Sequence, residues 1–190
     1  MKTHKYIVIE GLDKSGKTTL INALKEEVDA EYIREPTPTF LRDFIGRIKK
    51  MDHPNEKEIL MNLFAADRLL LKPIIDKAKK ENRMVISDRS KFSSYAYQGR
   101  ENFSYNQVVN KFMPNPDILI YLKAPIKTLK SRGFSPADKF EDPEFLKEVK
   151  EMFEVPIHLY CARNKIKFVE IDATQSPEKV LKDVKEVIEC

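Results

Sequence analysis

Short apolar runs recur along the chain between longer stretches in which apolar residues return every three or four positions. The runs are Tyr6–Ile9, Tyr32–Ile33, Met84–Ile86, Ile118–Leu122 and Phe168–Ile171. They are rich in β-branched residues, as strands are. They are also nearly continuous in apolar residues, which fits strands covered on both faces; strict alternation would mark a sheet with one wet face. About five parallel strands between layers of helices are therefore expected, an α/β fold in three layers. Helices are predicted at Thr18–Val28, Phe40–Lys49, Glu56–Lys80, after Ser104, and at Ile126–Ser131, Pro143–Asn164 and Pro177–Ile188, several opening at Ser, Asp or Pro. Pro73 is expected to kink the long third helix, because an interior proline removes a hydrogen bond and crowds the preceding turn.

No compositional shift or internal repeat divides the chain, and 190 residues suit a single domain spanning 1–190. With 42% hydrophobic and 34% charged residues, the chain can bury a sizeable core and does not read as disordered. The net charge of +4 is spread along the sequence, so charge alone does not separate small anions from nucleic acid as partners. Cys161 and Cys190 form no CxxC pair, and His4, His53 and His158 are scattered, which argues against a disulfide framework or a zinc site. No apolar stretch approaches the roughly 20 residues of a membrane span. The N-terminus enters a strand-like run at Tyr6, leaving no room for a signal peptide. A cytoplasmic protein, neither secreted nor membrane-bound, is the expectation.

The first run leads into Gly11-Leu12-Asp13-Lys14-Ser15-Gly16-Lys17-Thr18-Thr19. Its first eight residues match GxxxxGK[ST], and a helical pattern follows at once, as a phosphate-binding loop requires. Glycines let backbone N–H groups turn onto phosphate oxygens, and the helix presents its positive end. Lys17 supplies a cation at the β- and γ-phosphates, and the Thr18 hydroxyl is placed to ligate Mg²⁺. The alternative is a glycine turn with a solvated lysine. Two of only five glycines sit in this loop, so an accidental match would be a rare event.

A GTPase would need DxxG and NKxD segments, and Asn164-Lys165-Ile166-Lys167 lacks the aspartate. A large ATPase motor would need extra domains, which leaves a small kinase. The chain further carries Arg34-Glu35-Pro36, Leu63-Phe64-Ala65-Ala66-Asp67-Arg68, Asp88-Arg89, Tyr95-Ala96-Tyr97-Gln98-Gly99 and Ile171-Asp172-Ala173-Thr174. With these motifs, in this order, it resembles the thymidylate kinase family nearly end to end. The resemblance implies a P-loop kinase fold with a short lid near residues 133–143, ATP and dTMP as partners, Mg²⁺ as cofactor, and a homodimer. It implies neither nucleic acid nor membrane.

Phe64 and Arg68 stand four residues apart, so on a helix they share a face and can offer a ring to a base and a guanidinium to its phosphate. Periodicity alone leaves Phe64 as a core aromatic and Arg68 as a helix-surface arginine; the resemblance makes Phe64 the thymine-stacking ring. Asp88 and Arg89 follow an apolar run, at the carboxyl end of a strand, where open α/β sheets bind ligands. The resemblance implies that Arg89 bridges the acceptor phosphate and the transferring group, while Asp88 holds Mg²⁺ through water. A structural Asp–Arg pair is the alternative. By the same resemblance Ser94 and Tyr97 face thymine and deoxyribose, Tyr97 crowding the place of a 2′-hydroxyl, with Gln98 nearby. Asp13 then accepts the 3′-hydroxyl, and Arg34 reaches the acceptor phosphate.

A phosphate monoester with a second pKa near 6 needs no general base at neutral pH. Catalysis instead requires neutralisation and in-line placement of two polyanions, which Lys17, Arg89, Arg68 and Mg²⁺ could supply. The family carries an extra cation in the loop or on the lid. Here Lys14 and Lys139 stand where arginines are usual, with Arg132 nearby; lysine lacks the guanidinium's fork, and both lysines could equally be solvated. Two other readings stay open. One is a kinase of the same fold acting on another nucleoside monophosphate or a deoxynucleoside. The other is a non-catalytic nucleotide-binding regulator, which would have no need of Asp88, Arg89 and Arg68.

Overall fold

The computed structural model describes residues 5–51, 53–133, 140 and 142–189. All five apolar runs form strands, each reaching slightly beyond its run at the carboxyl end, with Met84 left outside the third: β1 (Tyr6–Gly11), β2 (Glu31–Arg34), β3 (Val85–Asp88), β4 (Ile118–Lys123) and β5 (Lys167–Asp172). They pair in parallel in the order β2-β3-β1-β4-β5. Every residue of β1 is buried, as continuous apolarity in a central strand demands. In register, Ile9 lies beside Asp88 on one side and Ile120 on the other. The chain moves outward from β1 to β2, returns to insert β3, then crosses to β4. That change of direction opens a crevice at the carboxyl ends of the central strands.

The helices are α1 (Lys17–Glu27), α2 (Phe40–Ile48), α3 (Glu56–Leu69), α4 (Lys72–Lys80), α5 (Lys91–Tyr97), α6 (Phe103–Val109), α7 (Ile126–Ser131), α8 (Pro143–Met152), α9 (His158–Arg163) and α10 (Pro177–Glu189). Three differ from expectation. The predicted helix over Glu56–Lys80 is two helices, parted at Leu70 and Leu71. Pro73 sits in the first turn of α4, where its missing N–H has no helical partner to lose, so it opens a helix instead of kinking one. The predicted Pro143–Asn164 helix contains a π-helical turn, Phe153–Ile157, with Pro156 inside it. The short helix α5 was not anticipated; its signal is Ser90, whose hydroxyl accepts the Phe92 N–H at 3.3 Å as an N-cap.

The main core gathers β1, β3 and β4 with Leu20 and Leu24 of α1, Phe92 and Tyr95 of α5, Val149 of α8 and Val184 of α10. A satellite cluster of Ile45, Ile48 and Leu60 joins α2 to α3, with Phe64 and Phe140 packed against it. Among the described residues no helix is long and apolar enough to cross a membrane.

Candidate active site

β1 ends at Gly11, where a Cβ would stand 2.6 Å from the Ser15 hydroxyl and 2.9 Å from the Leu122 carbonyl oxygen. No larger residue fits that approach. Gly16 has φ of 94° and Lys14 has φ of 63°, so the loop turns through two left-handed residues before α1 begins. Lys17 folds back over it, and its Nζ donates to the carbonyls of Gly11 and Leu12, both at 2.8 Å. Burial, with Arg89 adding to it, pushes the Lys17 ammonium down to about 7. Leu12 contributes only its backbone, since its side chain is 1% exposed in the core.

Asp13, Lys14, Ser15, Gly16, Lys17, Thr18 and Thr19 line a cleft of about 640 Å³. The first turn of α1 opens into it, so unpaired N–H groups and a positive helix end meet whatever binds there. At its far end the cleft becomes more apolar, with Ala23, Ala173, Val180 and Leu181 beside Gln175. Arg132 closes this end: its guanidinium donates to the carbonyls of Lys14 at 3.1 Å and Ala173 at 2.7 Å. Arg34 and Asp88 lie on the near wall, 3.8 Å apart.

A second, smaller cavity of about 150 Å³ is lined by Asp13, Glu35, Phe64, Arg68, Arg89, Ser94, Tyr97 and Gln98, among others. Asp13 and Arg89 belong to both cavities and are joined by an ion pair. The two groups therefore form the wall through which the cavities meet. Arg89 holds φ of 72°, a region that costs energy for a residue with a side chain. Its backbone is secured by its N–H on the Ile9 carbonyl at 3.0 Å and by the Ser87 hydroxyl on its carbonyl at 2.6 Å.

Arg68 departs from its expected role. It is 1% exposed and does not line the phosphate cleft. Its Nε and Nη2 pair with the Glu35 carboxylate at 2.7–2.8 Å, Nη2 also reaches the Ser94 hydroxyl at 3.2 Å and the Ser90 carbonyl at 3.3 Å, and Nη1 donates to Asn110. A guanidinium so committed to a buried carboxylate sits at the closed end of the small cavity, away from the phosphate loop. One Nη1 hydrogen is left over by these bonds. On the same cavity lining, Tyr97, whose ring centre lies 5.7 Å from the Arg89 guanidinium, and Gln98 carry a buried hydroxyl and a buried carbonyl oxygen without a hydrogen-bond partner, the kind of group a ligand satisfies.

The thymidylate kinase family model matches residues 9–184 of the chain. A probable thymidylate kinase of Methanobrevibacter smithii is 36% identical, over 96% of this chain and 93% of its own length.

The chain belongs to the thymidylate kinase family.

Probable thymidylate kinase 1 of Saccharolobus solfataricus is likewise 36% identical, over 97% of each chain. The structure of thymidylate kinase from Candida albicans superposes with a TM-score of 0.82 over 98% of this chain and 91% of that one, at 23% identity, and shares the fold.

Two residues of the small cavity, Glu35 and Lys49, and two buried behind the cavity walls, Asn110 and Glu10, carry no local signal of a role in the sequence. Glu35 was visible only as part of a motif; its pairing with Arg68 needs the fold. Asn110, the C-cap of α6, reaches Arg68, and Glu10 lies fully buried, joined to Arg89 through the Ser93 hydroxyl. Lys49 lines the small cavity with its ammonium 4.8 Å from the Phe140 ring centre and 5.7 Å from that of Phe64; nothing in the sequence marks it. Lys139 lies outside the described residues, as does most of the lid segment 133–143.

Among the described residues no group of three or more His, Cys, Asp or Glu could hold a metal. The cleft wall instead carries the Thr18 hydroxyl and the Asp88 carboxylate, with Ser15, Thr19, Asp13 and Glu178 also lining it. This oxygen set fits Mg²⁺, which keeps most of its waters and binds through one or two protein oxygens plus substrate phosphates.

Proposed function

We propose that this chain transfers the γ-phosphoryl group of ATP to dTMP. The observation that carries the reading is the shared wall: a phosphate-loop cleft and a base-sized pocket meet at Arg89 and Asp13. ATP suits the larger cleft, with its polyphosphate over Lys14–Thr19 and its base toward Ala173, Gln175 and Leu181. Thr18 and, through water, Asp88 would hold Mg²⁺, which supplies charge neutralisation at the phosphates. Lys17, Arg89 and Arg34 supply the protein's share of positive charge. The acceptor phosphate is already ionised, so no base is required.

dTMP suits the smaller pocket. The leftover Nη1 hydrogen of Arg68 can donate to a carbonyl such as thymine O4, whereas the exocyclic amine of cytosine would oppose donor to donor. Phe64 offers a stacking face, Asp13 an acceptor for the 3′-hydroxyl, and Tyr97 bulk against a 2′-hydroxyl. A missing methyl changes binding by only about 1–3 kcal/mol, whereas an unpaired buried donor discriminates far more strongly. dUMP is therefore a weaker substrate and dCMP a very poor one. Lys14 and Arg132 flank the cleft as its further cations, Arg132 tying the loop to the β5–α10 connection.

One domain over residues 1–190 is supported by the contiguous main core. A cytoplasmic location fits the buried, unpaired Cys161. The homodimer is supported by exposed Phe40 and Phe44 on α2, Leu70 after α3, and Val108 and Phe112 at the end of α6, an apolar set that a second copy would cover. Leu60, by contrast, is 2% exposed and belongs to the core. Sedimentation at micromolar concentration should give the dimer; monomer alone would exclude it.

The deciding experiment is steady-state ADP release with ATP·Mg²⁺ and dTMP, dUMP, dCMP, UMP, AMP, GMP or thymidine, for the native protein and Arg89→Ala. Preference for dTMP, lost in the variant, is expected. Activity centred on another acceptor would overturn the base-site assignments, and transfer to none would favour a nucleotide-binding regulator.

A further inference from the structure

Glu10 is 0% exposed, the penultimate residue of β1 before the phosphate loop. A carboxylate taken so far from water needs strong compensation. Four donors supply it: Oε1 accepts from the Ser90 N–H at 2.9 Å, the Ser90 hydroxyl at 3.0 Å and the Ser93 N–H at 3.0 Å, and Oε2 accepts from the Ser93 hydroxyl at 2.7 Å. All four come from the start of α5, the element that follows Arg89. The Ser93 hydroxyl has a second role, accepting from Arg89 Nη1 at 3.2 Å. A continuous hydrogen-bonded chain thus runs from a buried carboxylate, through one hydroxyl, to the guanidinium between the two cavities.

Arg89 is held at its other end by Asp13. That carboxylate is 36% exposed and open to competition from solvent and from a substrate hydroxyl. The Glu10 end of the chain is fully buried, while Ser93 itself stands on the wall of the small cavity. Burial raises the Glu10 pKa, while Arg89, the Ser93 hydroxyl and Lys17 pull it down; the interaction with Arg89 is therefore felt at the carboxylate itself. Hydrogen bonding to a carboxylate also polarises the Ser93 hydroxyl and makes it a better acceptor.

We infer that Glu10 is a positioning residue for phosphoryl transfer, fixing the Arg89 guanidinium at the junction of the two cavities through the Ser93 hydroxyl. The inference rests on the proposed role of Arg89. Misplacing a transition-state cation by a fraction of an ångström lowers turnover more than ground-state binding.

The test is Glu10→Gln, which keeps shape and all three Oε1 contacts but removes the charge and reverses the bond to Ser93. Expected are a kcat lower by roughly ten- to hundred-fold, little change in KM for ATP, and a melting temperature no lower than that of the native protein. In an Arg89→Ala background the same substitution should have no further effect, which a merely structural role would not reproduce. Where Glu10→Gln lowers melting, Ser93→Ala breaks the same chain while leaving the Glu10 carboxylate its three Oε1 donors, and the same loss of kcat and the same non-additivity are expected. Turnover within about two-fold of native in both variants, or losses that multiply with Arg89→Ala, would overturn the inference while leaving the kinase reading intact. An inactive native protein would sink both.

Discussion

The guanidinium of Arg68 and the carboxylate of Glu35 meet at 2.7–2.8 Å, with 1% and 4% of their side chains exposed. The pair joins α3 to the loop after β2 and lines the small cavity. Removing one member of a buried pair leaves the other charge uncompensated, at a cost of about 3–5 kcal/mol. Glu35→Ala is expected to lower the melting temperature by roughly 6–20 °C, and Glu35→Gln by less because it keeps an acceptor. A thermal scan of the three proteins checks this. An unchanged midpoint for Glu35→Ala would mean the pair is not formed in solution.

Asn110 holds Arg68 from the opposite side, and its own amide donates to the Asn106 carbonyl at 2.9 Å. Asn110→Ala frees Nη1 to turn away from the cavity. KM for dTMP should rise about ten-fold, one hydrogen bond to a charged group being worth roughly 1.5–3 kcal/mol, while KM for ATP stays constant. A parallel rise in both KM values would show that Asn110 supports the whole fold instead of Arg68 alone.

The two loop glycines should respond differently to Ala. At Gly11 the new methyl would collide with the Ser15 hydroxyl and the Leu122 carbonyl, whereas at Gly16 nothing lies within 4 Å. Gly11→Ala should therefore lower both melting temperature and ATP affinity. Gly16→Ala should mainly weaken ATP binding, through the strain of its left-handed backbone. Melting curves with and without ATP separate the two patterns.

Lys17 is depressed to about 7, chiefly by burial and then by Arg89. At pH 8, one unit above that value, most of it is neutral in the free protein. A polyphosphate beside it favours the ammonium, so ATP binding at pH 8 should take up protons. Binding heats measured in buffers of different ionisation enthalpy should then diverge; identical heats would contradict the shift. For folding the sign is the same: the unfolded chain binds a proton that the folded one rejects, so stability gains with pH between about 7 and 10 from this group.

Several features were legible in the sequence because their cause is local. Continuous apolar runs announced buried parallel strands at β1 and β4. Gly11, Gly16, Lys17 and Thr18 announced a phosphate loop, because glycines at that spacing before a helix let a backbone wrap an anion and the lysine adds a cation. Pro73 shows the limit of such reading: a proline says that a helix is interrupted, but only packing around Leu70 and Leu71 decides whether it bends or restarts.

Pairings between distant segments were decided by the tertiary structure alone. Glu10 and Ser93 are 83 positions apart, Arg68 and Asn110 42, and Arg89 reaches Asp13 across β1 and β3. Arg68 read as a helix-face cation aimed at a phosphate, because spacing along one helix cannot reveal that Glu35 waits opposite. The sequence determined which chemical groups exist and which backbone elements carry them. Which charge is matched, which is left for a ligand, and where two cavities share a wall depend on desolvation and on contacts between elements, and those exist only once the sheet has brought its strand ends together.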